Sequence, residues 1–188
     1  MNDWTVAAGE KAHIVLVHHG SESEQRVIRL AGEGAEVLVD EVFVSGNVKS
    51  QLTIIHDARR TKSRVNARGV VGKAQNTISH AKIIIPKHGQ LSDSFVEQHF
   101  LLLDASAQAE AIPSLEIEAD EVKASHSATI SPLDAEKIFY LTSRGVSEPE
   151  ARKLIIEGFL KLPKGHEHLL DMSDFGTKSE HDQKPGGF

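Results

Sequence analysis

The sequence predicts a mainly β fold: a solenoid of short strands followed by a small helical pair. Three observations lead there. Short runs of branched and aliphatic residues, each bounded by turn residues, recur from Trp4 to about Ile130 without a sustained helical period. The last four breaks, at Gly72, Gly89, Asp104 and Asp120, are spaced by 17, 15 and 16 residues. At Ser131 the pattern changes to capping and proline signals. Evenly spaced strands also suit a sandwich or a barrel. The near-constant step favours a solenoid, as do Ala105, Ala107, Ala109 and Ala111 on one strand parity, because a solenoid interior is narrow.

In order, the strands read as Val37-Leu38-Val39, Val42-Phe43-Val44, Leu52-Thr53-Ile54-Ile55, Val70-Val71, Ile83-Ile84-Ile85, Leu101-Leu102-Leu103 and Leu115-Glu116-Ile117, with further turns at Gly34, Gly46 and Asp57. Ser131-Pro132-Leu133-Asp134 then supplies an N-cap, a proline at the first helical position and a first-turn acid. That helix runs to about Ser143 and stops at Gly145, which tolerates a left-handed conformation. Ser147-Glu148-Pro149-Glu150 is a capping-box pattern opening a second helix. Its residues Ala151, Leu154, Ile155, Gly158, Phe159 and Leu162 form one face, where Gly158 permits close approach of another helix, and Pro163 closes it. The expected organisation is a β core over 4–130, a helical pair over 131–163 and a disordered polar tail over 164–188.

At 188 residues the chain suits one domain, or one with a small appendage. Its 39% hydrophobic content is ordinary for a globular protein. With 21 basic against 27 acidic residues the net charge is -6, which argues against a dedicated nucleic-acid binder. There is no cysteine, so this chain alone builds no disulfide, catalytic thiol, cysteine-zinc site or thiolate-held cluster. Met1-Asn2-Asp3-Trp4 lacks a secretory pattern, and Ile14-Val15-Leu16-Val17 is far too short to cross a membrane, so a cytoplasmic protein is expected. No glycine-rich phosphate loop or nucleophile elbow occurs, so no bound nucleotide is expected in this chain.

Eleven histidines invite a metal hypothesis. The nearest approaches to ligand spacing are His18-His19 and His166-x-His168. Strand neighbours point to opposite faces, so His18 and His19 do not share an ion, and surface histidine is the default reading of each. Arg60, Lys62, Arg64 and Arg68 share one strand face, with Val65, Ala67, Gly69 and Val71 on the other. That basic stripe is either a solvated face balanced by acids such as Asp40, Glu41 or Asp93, or a docking surface for an acidic partner. Glu116, Glu118 and Asp120 share one parity and could form a glycosidase-like carboxylate pair.

The stretch from Ala111 to Ile130, containing Ser125-His126-Ser127-Ala128-Thr129, resembles the core motif of the SufB/SufD family of iron–sulfur cluster assembly scaffolds. The likeness continues through Ile138-Phe139-Tyr140-Leu141-Thr142-Ser143-Arg144-Gly145-Val146, Glu150-Ala151-Arg152 and Ile156-Glu157-Gly158-Phe159, and upstream through Gln98-His99-Phe100-Leu101-Leu102-Leu103. It is strong from about Phe95 to Leu162 and weaker back to about Trp4. The resemblance implies a right-handed parallel β-helix with a C-terminal helical domain. It implies pairing of two scaffolds through their β-helices, as a homodimer or with a second SufB/SufD-like chain. It also implies docking of a SufC-type ABC ATPase on the helical domain, with Arg144, Glu150, Gly158 and Phe159 as partner contacts. His126 matches the histidine of the family's Ser-His-Gly-Ala-Thr-type motif near the scaffold interface. Beside that reading stands a histidine hydrogen-bonded at the last coil.

The chain departs from the family pattern in being short at its N-terminus, with Ser127 for a commoner glycine and Ala124 where SufD-like members have cysteine. Gln98 occupies the position of the cysteine used by SufB-like members. A transient iron–sulfur cluster would therefore need His126, Gln98, His99 or Glu116, with His126 as the metal ligand, or a partner's cysteines. The leading expectation is a non-enzymatic assembly scaffold. The alternatives are a SufD-like or degenerate partner that ligates no cluster and, from another class, a β-solenoid enzyme acting on polysaccharide.

Overall fold

The computed structural model describes residues 2–161. Ten strands alternate between two parallel sheets. They are β1 (Asn2–Val6), β2 (Lys11–His19), β3 (Glu22–Leu30), β4 (Glu36–Ser45), β5 (Val48–His56), β6 (Lys62–Val71), β7 (Asn76–Ile85), β8 (Asp93–Leu102), β9 (Gln108–Ile117) and β10 (Lys123–Pro132). The odd strands form one sheet in the order β1-β3-β5-β7-β9, and the even strands form the other, β10-β8-β6-β4-β2. This is a parallel β-solenoid of about four turns. Glu36 pairs with Lys62, and Lys62 with Asp93, so successive coils advance by 26 and 31 residues. The breaks at Gly72, Gly89, Asp104 and Asp120 are corners between the two sheets, so the even step is half a coil.

Parallel, in-register pairing stacks like positions of successive coils into columns. In the odd sheet, Trp4, Ile28, Ile54, Ile83 and Leu115 form one such inward column. In the even sheet, His18, Phe43, Gly69 and Phe100 form another. The His18 ring stacks on Phe43 at 4.6 Å, and Phe43 lies 5.3 Å from Phe100 across the glycine. A Cβ on Gly69 would stand 2.5 Å from the Phe100 ring and 3.0 Å from Phe43 Cβ. The predicted inward face of β6 is observed, with Val65, Ala67 and Val71 fully buried.

Polar side chains also enter the interior, and they stack in the same way. Thr61 bonds Ser92 at 2.8 Å, and Ser63 bonds Ser94 at 2.7 Å, one coil further on. Buried His56 holds both hydroxyls of the earlier coil, Nδ1 on Thr61 at 2.8 Å and Nε2 on Ser63 at 2.9 Å. Such groups are tolerated in a dry interior because each has a partner.

Val37-Leu38-Val39 and Val42-Phe43-Val44 are one strand, β4, whose outward residues Val42 and Val44 are covered as well. What covers them is α2 (Glu148–Leu160), which lies on the outer face of the even sheet. Ile156 and Leu160 pack there with Val42, Val44, Val70 and Leu101.

The helix expectations need three corrections. First, α1 (Ala135–Ser143) is capped by Asp134, whose carboxylate accepts from the Glu136 and Lys137 amides, while Ser131 and Pro132 remain in β10. Pairing with β8 runs to Pro132 opposite Leu102, which holds those residues extended. Second, Ser147 starts α2 without a side-chain cap bond. Third, the buried face of α2 is Ala151, Ile156 and Leu160, while Leu154 is 47% exposed and nothing lies within 4 Å of a Cβ built on Gly158. Gly158 is therefore not a close-approach glycine. The expected stop holds, because Gly145 has φ +89° and its amide bonds the Thr142 carbonyl while Val146 bonds that of Leu141. The calls on Leu162, Pro163, His166, His168 and the tail lie outside the described residues.

Gly69→Ala should lower the unfolding free energy by about 1–3 kcal/mol, because the added methyl overpacks the Phe43–Phe100 contact. Urea unfolding measures it, and an unchanged midpoint would mean the column has slack.

Candidate functional site

The last coil exposes its interior face. Among the described residues no strand pairs with the far edges of β9 and β10. The inward row of β10 is Ala124, His126, Ala128 and Ile130, because these pair with the inward residues Ser94, Val96, Gln98 and Phe100 of β8. His126 ends a column that reads Ile14, Val39, Val65 and Val96 in the coils before it. Val39, Val65 and Val96 are at most 1% exposed, whereas His126 is exposed. Among the described residues nothing continues the column beyond His126, so its imidazole stays in contact with solvent.

The structure brings together only some of the predicted site residues. Gln98 lies one coil inside, on the same inner face of the even sheet as His126 but in the column of Ala128, and is fully buried. Its Nε2 donates to the Ser79 carbonyl at 2.9 Å and to the Ser79 hydroxyl at 2.8 Å, while its Oε1 is buried without a partner. His99 is on the opposite, outer face, bonded to Glu97 at 2.7 Å. That bond, with Arg68 and Lys161 nearby, holds the Glu97 carboxyl below its usual range. Glu116 is on the outer face of the other sheet, paired with Lys82 at 2.7 Å, and Asp120 sits in the corner after β9.

The helical calls fall on one region. Between the end of β10 and α2 lies an apolar groove of about 910 Å³, lined by Leu101, Leu133, Leu154, Ile155, Gly158 and Phe159. On α1, Phe139 is 74% and Tyr140 57% exposed, and the Arg144 guanidinium stands 5.1 Å from the Tyr140 ring. Glu150 is exposed in the first turn of α2.

The basic stripe is largely paired within the fold. Arg60 bonds Glu33 at 2.9 Å, Lys62 bonds Glu36 at 3.3 Å and Arg64 bonds Asp93 at 3.0 Å. Arg68 reaches the Phe159 carbonyl at 3.5 Å, near the negative end of α2. Of the acids expected to balance the stripe, Asp40 instead bonds His13 and Asn66, and Glu41 points inward.

Glu41 faces His18 across the interior. His18 is not a surface histidine but 1% exposed, with Nε2 at 2.9 Å from buried Glu41 and Nδ1 at 2.6 Å from Glu22. Burial alone would push this imidazole down, yet the hydrogen bonds and charges of Glu41 and Glu22 hold it above its usual value of 6.5. The spacing His18-x3-Glu22-x-Glu24 around Gly20 was the available signal.

The sequence model described as "SUF system FeS cluster assembly, SufBD core domain" matches residues 5–159. The chain belongs to the SufBD family. Its relatives include an iron–sulfur cluster assembly SufBD family protein of Synechocystis, 38% identical over 90 residues, which are 48% of this chain and 20% of that protein. The iron–sulfur cluster assembly protein SufD of Escherichia coli is 34% identical over 104 residues, 55% of this chain and 25% of SufD. A SufBD family protein of Staphylococcus aureus is 29% identical over 135 residues, 70% of this chain and 29% of that protein. The chain thus spans less than a third of each of these relatives. This SufBD chain carries the family's core domain over residues 5–159, and no helix among its described residues is long and apolar enough to cross a membrane.

His56 ties this SufBD core to pH. Burial pushes its imidazole down to about 4 from 6.5. The unfolded chain then binds a proton that the folded chain refuses between those values, so stability falls as the pH drops from 6.5 towards 4. The loss amounts to about 3 kcal/mol. Denaturant unfolding at pH 7 and pH 4.5 of the wild type and of His56→Gln measures this, and an equal acid loss in both would contradict it.

Proposed function

We propose that this chain is a scaffold subunit of an iron–sulfur cluster assembly complex that works with a separate SufC-type ABC ATPase. The observation that carries the reading is the uncovered last coil with His126 on its inner row, in the segment that resembles the family's core motif. Open parallel edges invite another strand, and the edges of β9 and β10 suit a second scaffold, either another copy of this chain or a SufB/SufD-like partner. His126 would face that junction, where a neutral imidazole can bind iron or relay a proton. Exposed Phe139 and Tyr140, the rim residues Arg144 and Glu150, and the groove along Gly158 and Phe159 support α1 and α2 as the ATPase dock.

The cluster is cargo rather than a resident group. With no cysteine in the chain, its thiolates would come from the partner, and Gln98, Glu116 and His99 offer only oxygen or nitrogen donors on three different surfaces. Buried Gln98, engaged by Ser79, favours a second reading in which this is a SufD-like subunit that organises the complex without ligating iron. In both readings the chain is non-enzymatic, binds no nucleotide itself and works in the cytoplasm. Weighing against the polysaccharide-enzyme alternative, Glu116 of its Glu116, Glu118 and Asp120 set is paired with Lys82, and Asp120 lies in a corner.

One experiment separates the readings. The wild type, Gly158→Leu and His126→Ala are tested for retention of a Walker-motif ATPase and for anaerobic iron and sulfide loading of the complex. Gly158→Leu fills an open groove, so the fold should survive while ATPase affinity drops about tenfold, the loss of about 1.4 kcal/mol of docking free energy. His126→Ala should abolish loading with the fold intact. Full ATPase affinity in the first variant would move the dock elsewhere, and full loading in the second would leave His126 as architecture.

A further inference from the structure

At the other end of the solenoid, β3 turns three long side chains inward. Glu22, Glu24 and Arg26 pair with the inward residues Val48, Ser50 and Leu52 of β5. His18 enters the same space from the end of β2, across the tight corner at Gly20. That corner is rigidly built. Gly20 has φ +89°, its amide bonds the Ser45 carbonyl at 3.0 Å, and Gly46 stacks on it so closely that a Cβ would stand 1.7 Å from the Gly20 carbonyl oxygen. One ligand atom each from His18, Glu22 and Glu24 lie within 4.8 Å of one another.

We propose that His18, Glu22 and Glu24 form a binding site for one divalent first-row transition ion, such as Zn²⁺ or Fe²⁺. The donor set fits. One imidazole nitrogen and two carboxylates suit such ions, with positions left for water. The nitrogen facing the carboxylates is Nδ1, 2.6 Å from Glu22 and 3.9 Å from Glu24. Two ligands of a tetrahedral ion stand about 3.3 Å apart, between those two separations. Both glutamates are about a third exposed, at 30% and 33%, so an ion from solvent can reach them.

The surroundings match what an imidazole ligand needs. The far nitrogen, Nε2, donates to Glu41 at 2.9 Å, and Glu41 is itself 1% exposed and accepts from the Ser50 hydroxyl at 2.5 Å. A buried carboxylate behind a ligating histidine fixes its tautomer and strengthens it as a donor. The Phe43 ring stacked at 4.6 Å fixes its orientation.

Charge points the same way. The carboxylates of Glu22, Glu24 and Glu41 converge on His18, with the Arg26 guanidinium on Glu24, and a divalent ion would offset the acidic excess. Arg26 pairs with Glu24 and stands 5.6 Å from the ring of Trp4, the only tryptophan, so events at Glu24 have an optical reporter.

The test uses the full chain with His166→Ala and His168→Ala, which removes the His-x-His of the tail as a rival chelator. After chelator treatment, Zn²⁺ is titrated by calorimetry and by Trp4 fluorescence. The expected result is one Zn²⁺ per chain with micromolar Kd. Because His18→Ala would empty a buried position, the ligands are tested through Glu22→Gln with Glu24→Gln, checked for folding by circular dichroism. That pair should weaken binding at least about tenfold, and Glu41→Gln about 10–100-fold. Absence of one-to-one binding, or full affinity in the Glu22/Glu24 variant, would overturn the site. Full affinity in Glu41→Gln would overturn the supporting part given to Glu41.

Discussion

Each inward side chain of this solenoid rests on the residue at the same register position one coil away, and the rest of the structure follows from that stacking. A column tolerates a large ring only where its neighbour yields space, as Gly69 does between Phe43 and Phe100. It tolerates a hydroxyl only where the next coil answers with another, as Ser63 and Ser94 do. Packing of this kind is close to one-dimensional, so each coil depends chiefly on its two neighbours. Consistent columns make the middle of the molecule rigid and leave its chemistry to the ends.

The two ends differ in character. Around the corner between β2 and β3, the interior row turns ionic, with Glu22, Glu24 and Arg26 opposite His18 and Glu41. At the last coil, the row is small and apolar apart from His126. The helices bias this further, since α2 covers the outer face of the even sheet and leaves the edges of β9 and β10 unpaired among the described residues. The proposed function places the assembly surface at the last coil.

Much of the fold was legible in the sequence because corners recur by chain geometry. Gly72, Gly89, Asp104 and Asp120 mark half-coils, and the alternation at Val65, Ala67, Gly69 and Val71 gives the inward face of β6 directly. Gly145 marks a helix end for a local reason, its positive φ. What failed depended on partners distant in sequence. Ser131 and Pro132 have the chemistry of a helix start, but pairing of β10 with β8 holds them extended. Helical periodicity outlines a stripe from Ala151 through Leu154 to Gly158, yet of these three the sheet beneath α2 buries only Ala151, and adds Ile156 and Leu160 from outside the stripe. Of the site, the motif around His126 could be read, whereas the inward turn of Gln98 and the burial of His18 among Glu22 and Glu41 could not. Those depend on which face of β8 and β2 is enclosed and on side chains supplied by β3, β4 and β7.

The central claim is that the last coil is an open assembly surface. Amide hydrogen exchange of β10, residues 123–132, measured against β6 over a range of protein concentrations, tests it most directly. The account predicts that β6 stays slow throughout, while β10 exchanges fast when dilute and becomes protected as concentration rises or a second scaffold is added. Protection of β10 equal to that of β6 at every dilution would contradict it.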